Sequence, residues 1–91
     1  MKFAVTNARA FMGNNISVDI CAEGDESIRS VTVTLDGFDI ASEDVANGTT
    51  EYKKVFNGKG DAGPGMDHTL NVTAMDQNLN PKSYTAEWTD T

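Results

Sequence analysis

The stretch MDHTLNVTAMDQNLNP, residues 66–81, decides how this chain is expected to fold. Apolar side chains occupy alternate positions in its middle, at Leu70, Val72 and Ala74. This period of two is typical of a strand that buries one face. The polar run 76–81 then predicts a tight turn, and the chain continues into a last strand over 84–88. The stretch therefore predicts a β-hairpin with one face against a core.

The same alternation recurs towards the N-terminus, so most of the chain is expected to form strands. The inward residues of the second and third strands are Ile16, Val18 and Ile20, then Val31, Val33 and Leu35. Phe3 and Val5 indicate a short strand before them, and Phe38 and Ile40 a short strand after them. Asp36-Gly37 marks a hairpin turn, and the phase of Ile28 predicts a bulge near residues 29–30. The segment 41–50 is compatible with a helical turn at 42–44. The first strand is expected to fray after Thr6.

The strand expected over 52–56 has an ambiguous phase, because Tyr52 and Phe56 share parity with Lys54 rather than with Val55. Either a bulge or a Lys54 side chain that reaches past a sheet edge to solvent reconciles the pattern. Short strands about 8 to 12 residues apart, separated by turn residues, are typical of an antiparallel sandwich. The sequence therefore predicts an all-β fold, an antiparallel β-sandwich of about seven strands that spans residues 1–91 as a single domain.

Composition narrows the range of partners. The chain carries 7 Lys plus Arg against 14 Asp plus Glu, a formal net charge of -7. That charge repels phosphate backbones and anionic lipid surfaces, so no nucleic-acid partner is expected. The absence of an apolar run near 18 residues argues against membrane insertion. The single cysteine, Cys21, excludes an intrachain disulfide. Net charge also opposes the pairing of sheet edges between chains, so we expect a monomer.

The N-terminal residues bear on where the protein is located, inside or outside the cell. Residues 1–11 lack the continuous apolar stretch of a signal peptide. If Met1 is native, we expect a cytoplasmic or virion-associated chain. If the chain is an excised domain, we expect a cell-surface or extracellular location.

Three segments carry a resemblance to a known family: VTVTLDG at 31–37, HTLNVTAMDQNLNP at 68–81 and YTAEW at 84–88. Together they resemble the bacterial immunoglobulin-like (fibronectin-III-like) domains of surface proteins and secreted enzymes, over about residues 16–89. The resemblance implies an immunoglobulin-like β-sandwich and a role as a spacer, an adhesion module or a carbohydrate-associated module. The chain differs from antibody-type domains in lacking a cysteine pair and a Trp in the third strand, where Val33 stands.

Two loops are rich in oxygen ligands. In an immunoglobulin-type sandwich the loop after the second strand and the loop after the strand of Val72 lie at the same end. The candidate calcium ligands there are Glu23, Asp25, Glu26, Asp76, Asn78 and Asn80. Calcium prefers such oxygen clusters, and alternate oxygen side chains over 76–80 are the spacing of calcium loops. The segment also faintly resembles the DxNDN element of cadherins. The alternative is a solvated acidic end with a polar turn.

Other motifs predict no catalytic chemistry. Residues 58–63 match GxGxxG, but Pro64-Gly65 and a strand follow instead of the helix that a dinucleotide site needs. His68 is expected to be a polar residue at a strand start, and nothing in the sequence brings it to Cys21, so no enzyme is expected. Tyr84 and Trp88 share parity with Ala86, which places both in the core rather than on an exposed carbohydrate platform.

The predicted function is a non-enzymatic immunoglobulin-like module for spacing, adhesion or recognition of protein or carbohydrate, within a bacterial surface, secreted or phage virion assembly. The alternative is a free-standing small binding protein, an inhibitor or chaperone-like partner, that presents loops 36–50 and 57–66 from one end. A minor alternative is a calcium-binding module of the same fold. No cofactor other than calcium is expected.

Overall fold

A computed structural model describes residues 1–10, 12–60 and 63–90, and there it contains seven strands in two antiparallel sheets. The strands are β1 (Lys2–Ala10), β2 (Gly13–Cys21), β3 (Ile28–Leu35), β4 (Phe38–Asp44), β5 (Glu51–Lys59), β6 (Asp67–Asp76) and β7 (Pro81–Thr89). One sheet has the order β1-β2-β5 and the other the order β4-β3-β6-β7. The predicted all-β, immunoglobulin-like sandwich of seven antiparallel strands is confirmed. In the described ranges no helix is long and apolar enough to cross a membrane.

The core comes from the inward positions of the three central strands. These are Ile16, Val18 and Ile20 of β2, Val31, Val33 and Leu35 of β3, and Leu70, Val72 and Ala74 of β6, all of them buried. Each fully buried Val, Leu or Ile stabilises the fold by about 1.5 to 3 kcal/mol. The alternation seen in the sequence therefore defines the two faces of both sheets.

Strand β5 settles the phase that the sequence left open. Tyr52 and Phe56 are buried, whereas Val55 is exposed. Lys54 lies on the inward side between them, and its ammonium reaches past the sheet edge to the Glu43 carboxylate of β4, 3.1 Å away. The Lys54 side chain thus keeps its charge in water while its stem covers the seam between β4 and β5.

The structure both confirms and corrects details of the strands. The bulge expected near 29–30 is confirmed as a register shift between Ile28 and Ser30 against β6. The helical turn at 42–44 is wrong, because β4 stays paired with β3 as far as Asp44. The fraying expected after Thr6 is also wrong, since β1 pairs with β2 along its whole length.

Tyr84 corrects a further expectation. It shares the inward parity of Ala86 and Trp88, yet it is 41% exposed, because β7 is an edge strand whose inner face is open there. The Tyr84 ring stacks on Phe3 of β1, with ring centroids 6.1 Å apart, and so covers the seam between the β1 and β7 edges. Trp88 is partly buried and packs against the core.

The sandwich is elongated, 42 × 19 × 18 Å, and has two distinct ends. We call one end the acidic pole; it holds the β2–β3 loop (22–27), the β4–β5 loop (45–50) and the β6–β7 turn (77–80). The other end, the histidine pole, holds the β1–β2 turn, the β3–β4 turn, the β5–β6 loop and Asp90. The amino group of Met1 lies at the acidic pole, beside Glu26. The first and last described residues therefore lie at opposite poles.

Candidate functional site

The acidic pole brings the two predicted loops together. Asp25 and Glu26 of the first loop, and Asp76 and Asn78 of the second, line a shallow cavity of about 180 Å³. The Gln77 side-chain amide donates to the Ile28 carbonyl oxygen at 3.2 Å and holds the two loops in this arrangement. The expectation that these loops share one end of the sandwich is therefore confirmed.

Several of the six candidate ligands already have partners. The Met1 ammonium lies 2.8 Å from a Glu26 oxygen and 3.2 Å from a Glu23 oxygen. The hydrogen bond from this ammonium lowers the pKa of Glu26, and Glu26 in turn raises the pKa of the amino group. Within the part of the chain that the structure describes, no three His, Cys, Asp or Glu side chains are arranged to hold a metal ion. Calcium ligation at this pole stays a prediction.

Asp76 serves its own turn. One of its oxygens accepts the backbone N–H groups of Asn78 and Asn80, each at 2.9 Å. The Asn80 side-chain amide makes a longer contact, 3.5 Å, with the other oxygen. The hydrogen bond from the Asn80 backbone is the main cause that lowers the pKa of Asp76. This carboxylate therefore shapes the β6–β7 turn, in which Leu79 adopts a φ of 64°.

The histidine pole contains a polar cluster, formed by buried His68, Asp90 and Asn14 and exposed Asp36, which we call the His68 cluster. His68 Nδ1 lies 2.7 Å from Asp36 Oδ2, and Nε2 lies 3.0 Å from Asp90 Oδ2. An ionised carboxylate accepts hydrogen bonds and donates none. If both carboxylates are ionised, both ring nitrogens carry a proton, and the geometry is that of an imidazolium between two carboxylates.

The second oxygen of each carboxylate is also engaged. The Asn14 side-chain amide donates to Asp90 Oδ1 at 3.2 Å, and the Thr69 backbone N–H donates to Asp36 Oδ1 at 2.8 Å. Burial raises the pKa of Asp36, but the bonds from Thr69 and His68 outweigh it, and the net direction is down. His68, Asp90 and Asn14 are 4%, 5% and 1% exposed. These three residues are therefore withdrawn from water, whereas the Asp36 side chain is 39% exposed.

Backbone contacts anchor Asp90 in the cluster. Its N–H donates to the Met66 carbonyl at 2.8 Å, and its carbonyl accepts the Gly65 N–H at 2.9 Å. The Trp88 ring lies beside His68, with centroids 5.4 Å apart. A Cβ at Gly60, where φ is 76°, would lie 3.2 Å from His68 Cε1, so this glycine permits the close approach of the β5–β6 loop.

Sequence reasoning missed this cluster. It treated His68 as an ordinary polar residue, Asp36 as part of a turn, and gave Asp90 no role. The partners Asp36 and Asp90 lie 32 and 22 residues from His68 in the chain, and only the pairing of distant strands brings them together. One available signal was parity, since His68 shares the inward phase of Leu70 and Val72.

Two other motifs come from the sequence, Cys21 and the glycine-rich match at 58–63. Cys21 ends β2 at the acidic pole, so it is far from His68. Burial, followed by the negative charge of Asp19, raises the pKa of the Cys21 thiol, which disfavours the reactive thiolate. The GxGxxG match at 58–63 lies partly outside the described residues, and the next described element is strand β6.

The loops proposed for binding are distributed differently from the prediction. Residues 36–50 do not form one loop, because β4 carries the chain from the histidine pole to the acidic pole. The β3–β4 turn and the β5–β6 loop do share one pole. Exposed apolar side chains also occur there, at Met12, Phe38 and Met66.

Comparison with known proteins agrees with the fold. The sequence matches no protein-family model and no curated protein sequence. Among solved structures, the chain is similar to one described as "Structures of Clostridium thermocellum CbhA fibronectin(III)-like modules", with a TM-score of 0.51, 21% sequence identity and coverage of 97% of each chain. At this identity the similarity shows the fold. The chain thus has the architecture of a fibronectin(III)-like module, as the resemblance implied.

Proposed function

We propose that this chain is a non-enzymatic spacing module, which holds neighbouring parts of a larger surface, secreted or virion assembly apart along its long axis. The observation that carries the proposal is the position of the first and last described residues. Met1 lies at the acidic pole and Asp90 at the histidine pole of a sandwich 42 Å long. A chain that enters at one pole and leaves at the other adds the full length of the module to the assembly.

The terminal strands suit such a role mechanically. β1 pairs with β2 from Lys2↔Cys21 to Ala10↔Gly13, and β7 pairs with β6 from Pro81↔Met75 to Thr89↔Asp67. Tension applied at the two ends pulls these strands parallel to their ladders, so that many hydrogen bonds bear the load together. The Phe3–Tyr84 stack joins the two terminal strands across the seam between the sheets.

Small-angle X-ray scattering of two directly joined copies tests the proposal. We expect a rod whose greatest dimension is about twice 42 Å. A matched control joins the copies through a long Gly/Ser linker, which behaves as a flexible coil and gives a broader distribution of distances. A compact particle from the direct fusion, with the two copies side by side, would contradict a spacing role.

Recognition at the histidine pole is a second candidate function. The side chains of Met12 and Phe38 are 78% and 76% exposed, although Met12 occupies a turn position with a φ of 61°. Large apolar side chains at loop tips are a common feature of binding surfaces. The test is a glycan array probed with the wild-type chain, the variant M12S/F38S and the control L79S at the acidic pole. Equal signals from all three chains would exclude a glycan-binding role for this surface.

A further inference from the structure

We propose that His68 acts as a pH-sensitive clasp, which as an imidazolium fastens the Asp90 segment and the β3–β4 turn to the start of β6. The proposal concerns how the Asp90 segment is held at the histidine pole, and it does not depend on whether the module is a spacer. It rests on the geometry of the His68 cluster.

The clasp bonds two separate segments to β6 at once, one at each ring nitrogen. Nδ1 holds Asp36 of the β3–β4 turn at 2.7 Å, and Nε2 holds Asp90 beyond β7 at 3.0 Å. Asn14 of β2 adds a bond to Asp90 from the opposite sheet. The His68 ring and the Asn14 amide together thus link the Asp90 segment to both sheets of the sandwich.

The charged groups around the ring favour its protonated form. The two bonded carboxylates, Asp36 and Asp90, bring negative charge to both sides of His68. Asp67, the preceding residue, adds a third carboxylate, which accepts the Thr89 hydroxyl at 2.6 Å. Two positive charges oppose this effect. Arg9 of β1 and Lys59 of β5 both lie in register with Asn14, one on each neighbouring strand. Trp88, on the facing position of β7, is neutral.

Loss of the proton opens the clasp for a simple reason. A neutral imidazole has one nitrogen without hydrogen, and its lone pair would then face a carboxylate oxygen at 2.7 or 3.0 Å. This repulsion removes one of the two links. Where the bond to Nε2 is the one lost, the Asp90 segment keeps the Asn14 bond and its backbone bonds to Gly65 and Met66, and it separates more readily than in the protonated state. The apolar core lies outside the cluster and stays folded.

The sign of the pH effect follows from linkage. Because each ring nitrogen faces a carboxylate oxygen, we expect the folded chain to hold the His68 proton more tightly than the unfolded chain, in which histidine titrates near about 6.5. The resulting stabilisation is complete below that pH and is lost as pH rises through the folded-state midpoint. The clasp is therefore closed in acid and neutral solution and opens in alkaline solution.

NMR of the wild-type chain tests this directly, because His68 is its one histidine. We expect nitrogen shifts of a doubly protonated ring at pH 7 and a titration midpoint above about 6.5. A ring with one bare nitrogen at pH 7, or a midpoint at or below that value, would overturn the proposal. The variant D36N should move the midpoint down, since it removes one carboxylate. D39N, three residues along and exposed, is the control and should leave the midpoint unchanged.

Amide hydrogen exchange on the same sample tests the opening. Each pH unit above the midpoint lowers the protonated population about tenfold. The amides of Gly65 and Asp90 should lose protection accordingly, relative to core amides such as those of Val33 and Val72, which correct for the intrinsic pH dependence of exchange. Equal changes at the two sets of amides would refute a local clasp, even where the NMR midpoint is high.

Discussion

The two poles of the sandwich satisfy their buried carboxylates in different ways. At the acidic pole, Asp76 binds backbone N–H groups two and four residues away. At the histidine pole, Asp90 binds His68 and Asn14, which are 22 and 76 residues away. A carboxylate with local partners shapes one turn, whereas one with distant partners connects strands of both sheets. The difference predicts that substitutions at the histidine pole cost the fold more.

The largest expected effect is that of Asp90→Ala. Removal of one partner from a buried charged group leaves the other uncompensated, so we expect a loss of about 3 to 4 kcal/mol in the free energy of unfolding, measured by urea titration. Asp25→Ala at the acidic pole is the control. Asp25 is exposed, and its replacement should change stability by less than about 0.5 kcal/mol. Similar losses in the two variants would remove the distinction between the poles.

The next largest losses of stability are expected from substitutions in β7. Trp88 packs on His68 and the core, and we expect Trp88→Ala to cost about 2 to 3 kcal/mol, less than a fully buried Trp. Tyr84 lies nearer the acidic pole and is half exposed, so Tyr84→Ala should cost about 1 kcal/mol. Urea titrations of both variants check this order. A larger loss for Tyr84 would mean that the Phe3 stack at the seam matters more than the packing around His68.

These cases explain how far the sequence predicts the structure. Alternation identifies Val33 and Val72 as core residues because one face of each central strand is fully covered. The same rule fails at Tyr84, since parity gives the direction of a side chain but not whether a neighbouring strand covers it. Edge strands are known only once the sheet order is known. The fold was therefore predictable, and the burial along its edges was not.

The candidate sites show the same limit. Loop composition predicted that Asp25 and Asp76 would meet, because the fold type determines which loops share an end. The His68 cluster depends on pairing between residues far apart in the chain, and such pairing is not visible in local spacing. The parity of His68 marked it as inward, and an inward histidine requires partners. Its partners, Asp36 and Asp90, became identifiable only from the strand register.

The dependence of the free energy of unfolding on pH tests the role of Asp76 at the acidic pole. The pKa of Asp76 is lowered in the folded chain, so its stabilisation is present above the unfolded value of about 3.9 and is lost as pH falls through the folded-state pKa. We expect Asp76→Asn to be less stable than wild type at pH 6, by less than Asp90→Ala, and the difference to narrow at pH 2.5. Urea titrations at both pH values measure it. A constant difference would show that the Asp76 charge does not stabilise the turn.

Calcium at the acidic pole is expected to have the smallest effect. The oxygens of Glu23 and Glu26 face the Met1 ammonium, and Asp76 accepts two backbone N–H groups, so a cation would have to compete with partners already in place. Thermal melting in millimolar calcium and in chelator should then differ little. A genuine site at 100 times its Kd would add about 2.7 kcal/mol and a clear rise in Tm. If such a rise occurs and Asp76→Asn abolishes it, the calcium site predicted from the loops exists, and Asp76 too has a partner beyond its own turn.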